Sequence, residues 1–279
     1  MTATTTTETD TAAHPAPAPD VRPAAIRAEG VSLGYAGEPV VEGVDIDVSP
    51  GEILVVLGHS GCGKSTLLRA FAGLLRPLAG RIVADGADVT GPAAERALVF
   101  QDDALLPWRT ARRNVELPLQ LHGVARRERR RVADEWLERV GLSRYAERLP
   151  GQLSGGMRQR VQLARALAGS PGLICMDEPF GALDAQTRGS MQQLLVETWA
   201  ASGCTVVFVT HDVDEALVLA DRVVVLGRHG VVAEHRIDHP RDSARPPAAE
   251  QRAEILAALS RTQSLAPISP RTDPRKDVA

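Results

Sequence analysis

Four short stretches combine residue types that handle phosphate and water. Gly58-His59-Ser60-Gly61-Cys62-Gly63-Lys64-Ser65 fits the pattern G-x-x-x-x-G-K-[ST]. Its glycines let the backbone curl so that several N–H groups turn inward on one anion. Lys64 adds a point charge for β and γ phosphates, and the Ser65 hydroxyl is a hard oxygen suited to Mg²⁺. The stretch expected to touch nucleotide is Gly58, His59, Ser60, Gly61, Cys62, Gly63, Lys64, Ser65 and Thr66. A second candidate anion cradle is Leu153-Ser154-Gly155-Gly156-Met157, where Ser154 can cap a helix whose free N–H groups suit a γ-phosphate. A third, Leu173-Ile174-Cys175-Met176-Asp177-Glu178, ends an apolar run in two carboxylates. Asp177 could hold Mg²⁺ through water, and Glu178 could orient or deprotonate an attacking water. The fourth is His211, after the apolar run Thr205–Thr210, where an imidazole could bridge a γ-phosphate and the catalytic carboxylate. Taken singly, the last three have plain readings: an ordinary helix cap, an acidic turn before Pro179 and a structural histidine.

These groups need elements to hold them. Ile53–Leu57 is a short, continuously apolar run, as expected of a buried parallel strand feeding the Gly-rich loop. Lys64–Leu75 follows with Leu67, Leu68, Phe71 and Leu75 on one helical face. Before them, Ile26–Leu33 and Val41–Val48 alternate like half-buried antiparallel strands. From about 102 to 168 the period is helical: Val132, Trp136, Leu137 and Val140 share a face, as do Met157, Val161, Ala164 and Ala168. Strand-like runs return at Leu173–Met176, Val206–Val209 and Val223–Leu226, separated by helical segments. The pattern predicts an α/β core with a parallel sheet and a helical insertion.

Composition narrows the classes. The 279 residues suffice for a sizeable core, and 44% are apolar. A net charge of −3 gives no global basic field, so nucleic acid is not expected as the partner. Cys62, Cys175 and Cys204 are odd in number and far apart, which suits a reducing compartment better than a disulfide framework or a zinc site. No apolar run reaches the roughly 18 residues a spanning helix needs, and the amino terminus has no secretory h-region. Residues 1–24, rich in Thr, Ala and Pro, read as a disordered tail, and the folded body as 25–238. The stretch 239–279 reads as mostly loose, with a short helix around Glu250–Leu259.

The order of P-loop, Gln101, LSGGM, Asp177-Glu178, Gly181-Ala182-Leu183-Asp184 and His211 resembles the ABC transporter ATPases over roughly residues 26–235. That resemblance implies a P-loop NTPase fold with a mixed-sheet core, an N-terminal antiparallel β subdomain and an inserted α-helical subdomain. It implies ATP and Mg²⁺ as cofactors, Tyr35 stacked on adenine, and Gln101 at the Mg²⁺ as the link to the helical insertion. Asp184 would lie at a dimer contact, His211 would be the switch histidine, and Lys64 with Glu178 would carry hydrolysis. Two copies would close around ATP, each P-loop facing the partner's LSGG helix. Met157 stands where the family usually has Gln, and His59 where Pro is common; neither supplies the essential N–H groups.

Leu105-Leu106-Pro107-Trp108-Arg109, Asn114-Val115 and the PAAER stretch at 92–96 make the chain similar to the importer ATPases for nitrate, sulfonates and taurine, the taurine type above all. The implied partners are an integral membrane permease and, indirectly, an extracytoplasmic solute-binding protein, with the subunit on the cytoplasmic face of the membrane. Trp108 suits either docking of a permease helix or burial as an anchor of the insertion. Arg126–Arg131, five arginines in six positions, suits a solvated face beside Asp134, Glu135 and Glu138, or contact with anionic lipid or a permease loop. The competing reading is a soluble ABC-type ATPase working on nucleic acid or ribosomes, but the chain carries neither a second cassette nor a long coiled-coil insertion. A non-hydrolytic ATP-binding module would not need Lys64, Glu178 and His211 together.

Overall fold

Every side chain of β3 (Ile53–Leu57) is buried, so this strand must lie inside a sheet covered on both faces. The computed structural model describes residues 22–102, 104–241 and 249–263. Most of the tail expected over 1–24 therefore lies outside the described residues. Its end does not behave as a tail. Ala24 is buried, its N–H donates to the Gly172 carbonyl at 3.2 Å, and its own carbonyl accepts from the Thr205 hydroxyl at 2.7 Å.

β1 (Ile26–Tyr35) and β2 (Glu38–Val48) pair antiparallel ahead of β3, and α1 (Lys64–Phe71) follows it. β4 (Ala79–Ala84) and β5 (Ala87–Asp88) complete a four-stranded antiparallel sheet in the order β2-β1-β4-β5. The expected helix over 64–75 stops at Phe71 because Gly73 takes a left-handed φ of +80°. Leu75 still packs on the core.

After β6 (Arg96–Val99) the chain enters the helical block. There α2 (Ala111–Leu121), α3 (Arg126–Arg139) and α4 (Gly155–Ala168) pack on one another. The remaining elements are β7 (Leu173–Asp177), α5 (Ala185–Ser202), β8 (Thr205–Val209), α6 (Val213–Leu219), β9 (Arg222–Gly227), β10 (Gly230–Arg236) and α7 (Ala249–Gln263). The main sheet runs β10-β9-β3-β8-β7-β6, parallel throughout except for β10.

Strand alternation divides the core in two. Val55, Ile174, Met176, Val206 and Phe208 point to the face covered by the helical block. Leu54, Val56, Cys175, Val207 and Val209 point to the face covered by α1 and the antiparallel sheet. This sheet order has one functional consequence. β3, β8, β7 and β6 are neighbours and parallel, so the loops after all four emerge at one edge. Those loops begin at residues 58, 210, 178 and 100.

α7 falls on the short helix expected within the carboxyl-terminal stretch, most of which otherwise lies outside the described residues. The helix is longer than the expected 250–259, and its Ile255 and Ala258 are fully buried against the body.

Candidate functional site

The loop after β3 is shaped by close approaches. A side chain at Gly58 would put a Cβ 2.6 Å from the Leu226 carbonyl oxygen, and one at Gly63 would sit 2.8 Å from the Val41 side chain. Gly63 also has φ +103°, open only to glycine at little cost. Lys64 is buried, and its ammonium donates to the loop's own carbonyls at Gly58 (2.8 Å) and His59 (3.0 Å). The cation is thus held across the curl that its N–H groups would line. Thr66 is buried in the first turn of α1, and Cys62 is buried beneath the loop. The three cysteines are free, buried thiols; burial pushes Cys175 up to about 12.

Ser65 and Asp177 meet. Burial raises the Asp177 carboxyl above its ordinary pKa; the adjacent Ser65 hydroxyl opposes this, neighbouring Glu178 adds to it, and Lys64 opposes it. Two hard oxygen donors beside a phosphate loop fit a Mg²⁺ ion, which typically takes one or two side-chain ligands and completes its shell with phosphate and water.

Glu178 leaves β7 with a left-handed φ of +44°, a strained conformation for a residue with a side chain. Its N–H donates to the Val209 carbonyl at 2.9 Å, an extension of the β7–β8 ladder. That pairing brings His211, two residues beyond Val209, to the carboxylate: His211 Nδ1 lies 3.2 Å from Glu178 Oε2. The His211 side chain is 71% exposed and Glu178 22%, so the pair opens to solvent on the histidine side.

Gln101 is exposed in a bend after β6. The loop around it is gripped by α4, where Gln162 Nε2 donates to the Phe100 carbonyl and Arg165 to the Ala104 carbonyl, each at 3.0 Å. α4 itself begins at the second cradle. Ser154 caps it, accepting from the Met157 N–H at 3.3 Å, and Ser154 and Gly155 are exposed. Gln159 Oε1 accepts from the Ala182 N–H at 3.2 Å, and Gly156 packs near Leu183, tying this turn to the segment before Asp184. Asp184 caps α5, accepting from the Thr187 N–H (3.0 Å) and hydroxyl (2.8 Å), bonds that hold its carboxyl below the usual range. Tyr35 ends β1, 45% exposed, with its hydroxyl accepting from Arg69 of α1 at 2.8 Å.

One edge of the sheet therefore collects Lys64, Ser65, Asp177, Glu178 and His211, with the Gln101 bend beside β7. Ser154–Gly156 opens α4 of the helical block. The family model described as ABC transporter matches residues 41–181. The taurine import ATP-binding protein TauB of Chromobacterium violaceum is 53% identical over 205 residues, 73% of this chain and 78% of that protein. The chain belongs to the ABC transporter ATPase family. The TauB protein of Yersinia pestis is 48% identical over 201 residues, 72% of this chain and 79% of its own length. A dimeric ATP-binding cassette solved in a post-hydrolysis state with ADP and Pi is 33% identical with a TM-score of 0.69, covering 76% of this chain and 98% of that one. This ABC ATPase binds and hydrolyses ATP.

Some contributors were not read from the sequence. Asn114 is fully buried and ties the 106–110 loop. Its Oδ1 accepts from the Leu106 N–H (2.9 Å), and its Nδ2 faces the carbonyls of Leu106 (3.2 Å), Arg109 (3.0 Å) and Thr110 (3.1 Å). That loop holds Trp108 73% exposed, so the ring is not a buried anchor. In the arginine-rich segment Arg131 pairs with Glu128 and Glu135, and Arg130 stands 4.0 Å from Asp134, as a solvated face requires. Glu215 on α6 is buried and accepts from Gln192 of α5 at 3.1 Å.

Proposed function

We propose that two copies of the chain hydrolyse ATP on the cytoplasmic face of a membrane to drive a separate permease, importing a small anionic solute of the taurine, alkanesulfonate or nitrate class. The observation carrying the hydrolytic part is the Glu178–His211 pair beside Ser65–Asp177, at the edge that also holds Lys64. In this reading the N–H groups of the 58–66 loop and Lys64 bind the β and γ phosphates. Ser65, Asp177 and Gln101 would hold Mg²⁺, which would neutralise phosphate charge when bound. Glu178 holds and deprotonates the attacking water, and His211 keeps the carboxylate aimed and contacts the γ-phosphate. Tyr35 offers its exposed ring to adenine.

Ser154–Gly156 of a second copy would close the site from the opposite side, and Asp184 would lie at that contact. The support is its exposed helix N-terminus and the dimeric state of the related cassette. The exposed Trp108, on a loop knotted by Asn114, suits a rigid docking point for a permease segment. No helix among the described residues is long and apolar enough to cross a membrane, so a transport role requires that partner. The solute class follows the names of the relatives, and a solute-binding protein outside the membrane would deliver it.

The test is uptake of labelled taurine, alkanesulfonate and nitrate by a strain lacking the gene, complemented with wild type or Glu178→Gln. Wild type should restore uptake of one solute and Glu178→Gln none. Unchanged uptake of all three in the deletion strain, with the chain instead sedimenting with ribosomes, would overturn the importer reading.

A further inference from the structure

α7 begins beyond a stretch whose composition reads as loose, yet it is fixed at several points. Ile255 and Ala258 are fully buried, and the helix packs on α6, β9 and β10. Arg252 clasps Asp214 with both arms of its guanidinium, at 2.7 and 3.2 Å. Gln251 Nε2 donates to the Arg236 carbonyl at 3.0 Å, and His235 lies 3.5 Å from Glu254.

The far end of the same helix reaches the phosphate loop. His59 Nε2 lies 2.9 Å from the carbonyl oxygen of Leu259. A carbonyl only accepts, so Nε2 carries the proton and donates. Leu259 stands in the last turns of α7, toward the end where the helix dipole concentrates partial negative charge. The Thr262 hydroxyl donates to the same oxygen at 2.7 Å. Asp214, the other anchor, lies in the first turn of α6, directly after the His211 segment. One helix thus bridges the second residue of the phosphate loop and the helix that follows His211.

We propose that α7 is a brace of the ATP site and that His59 is a positioning residue acting through it: docked α7 holds the phosphate loop in its anion-receiving curl and so sets the affinity for ATP. This rests on the reading that residues 58–66 bind the phosphates. Lys64 and the close approaches at Gly58 and Gly63 fix part of the loop's shape, but its glycines keep conformational freedom that binding must remove. A bond from His59 to a packed helix removes part of that freedom in advance, so less ordering remains to oppose binding.

The test titrates a fluorescent ATP analogue with Mg²⁺ into the purified full chain. His59→Ala should weaken affinity about 5–10-fold, the worth of one hydrogen bond. His59→Gln should recover most of the loss, because its amide N–H can donate to the same carbonyl. Ile255→Asp, which places a charge where the body is apolar, should release α7 and weaken affinity by a similar factor, and adding His59→Ala should then cost nothing more. Strictly additive losses, or unchanged affinity in Ile255→Asp while the α7 amides exchange freely, would overturn the brace. Should Ile255→Asp fail to fold, Arg252→Ala removes only an exposed ion pair. It should raise the KM for ATP with kcat at saturation unmoved and speed amide exchange in residues 58–63; protection equal to wild type there would equally overturn the proposal. Lys64→Ala separates the two levels. If it leaves ATP affinity intact, the loop is not the ATP site; if it weakens affinity while the His59 and α7 variants are inert, only the brace falls.

Discussion

Glu178→Gln isolates one proton transfer from everything else at the site. The substitution keeps side-chain length and the backbone that holds Glu178, namely the bond from its N–H to Val209 and the left-handed φ of +44°. The amide oxygen can still accept from His211, whose Nδ1 is 3.2 Å from the present carboxylate, so the histidine keeps its place. What is lost is an acceptor for the proton of the attacking water. A positioned general base is worth about 10²–10⁴ in rate, or roughly 3–5 kcal/mol of barrier at 1.36 kcal/mol per decade. The ground state should barely change, because Glu178 lies off the Lys64 and Ser65 contacts that would hold the phosphates.

Phosphate release at saturating Mg-ATP should therefore fall by about two to four decades, while equilibrium affinity for ATP holds and a nucleotide-bound dimer accumulates on gel filtration. His211→Ala is the companion: it keeps the carboxylate and removes its partner, and so should slow turnover without abolishing the base. Undiminished turnover in Glu178→Gln would remove that carboxylate from the chemistry. Turnover and affinity falling by the same factor would make Glu178 a binding residue instead.

Lys64→Ala removes a cation and leaves the Gly58 and His59 carbonyls without their donor; ATP affinity should fall about 10–100-fold, the scale of a charge-assisted bond, by calorimetric titration. Asn114→Ala breaks the knot under Trp108, and chemical denaturation should show a loss of about 2–4 kcal/mol for its buried bonds. Glu215→Gln keeps acceptors and donors for Gln192 and Thr210 but removes a carboxyl whose pKa burial raises, with the Thr210 and Gln192 bonds opposing. The folded chain then holds that proton to higher pH than the unfolded chain, so wild-type stability falls as pH climbs through the window between the two values. The variant's melting temperature relative to wild type should accordingly be higher at neutral than at acid pH; the reverse slope would show that Glu215 is stabilised as an anion.

What could be read from the sequence was whatever depends on near neighbours in the chain. Ile53–Leu57 is legible because a strand buried on both faces needs apolar residues in a row, and the loop after it because one short turn must curl its own N–H groups around an anion. β4 was not legible: of its six residues only Ile82 is buried, and Gly80 and Arg81 break any alternation. Gln162, Gln159 and Asn114 look like ordinary polar residues of helices, and their partners are backbone groups fixed only by the fold; Phe100, which Gln162 holds, is 62 positions away. α7 was legible as a short helix but its docking was not, because most of its surface is polar and the two fully buried side chains that dock it, Ile255 and Ala258, leave no strong period.

The same contrast explains how the site is assembled. Lys64, Gln101, Glu178 and His211 span nearly 150 positions, yet each follows a strand of one parallel sheet, and the order β3-β8-β7-β6 makes those strands neighbours. Register then does the fine placement: Asp177 opposite Val209 puts Glu178 one residue and His211 two residues beyond the ladder, within hydrogen-bond reach. The helical block is held to this edge by polar side chains of α4, Gln162 and Arg165 on either side of Gln101, and Gln159 on the segment before Asp184. The backbone on either side of Gln101 is thus tied to the helix that carries Ser154 at its start and packs against α2, whose leading loop displays Trp108. On the proposed reading, side chains of a single helix would link the Gln101 bend to the block that displays Trp108, the kind of linkage an ATPase working through a separate membrane partner requires.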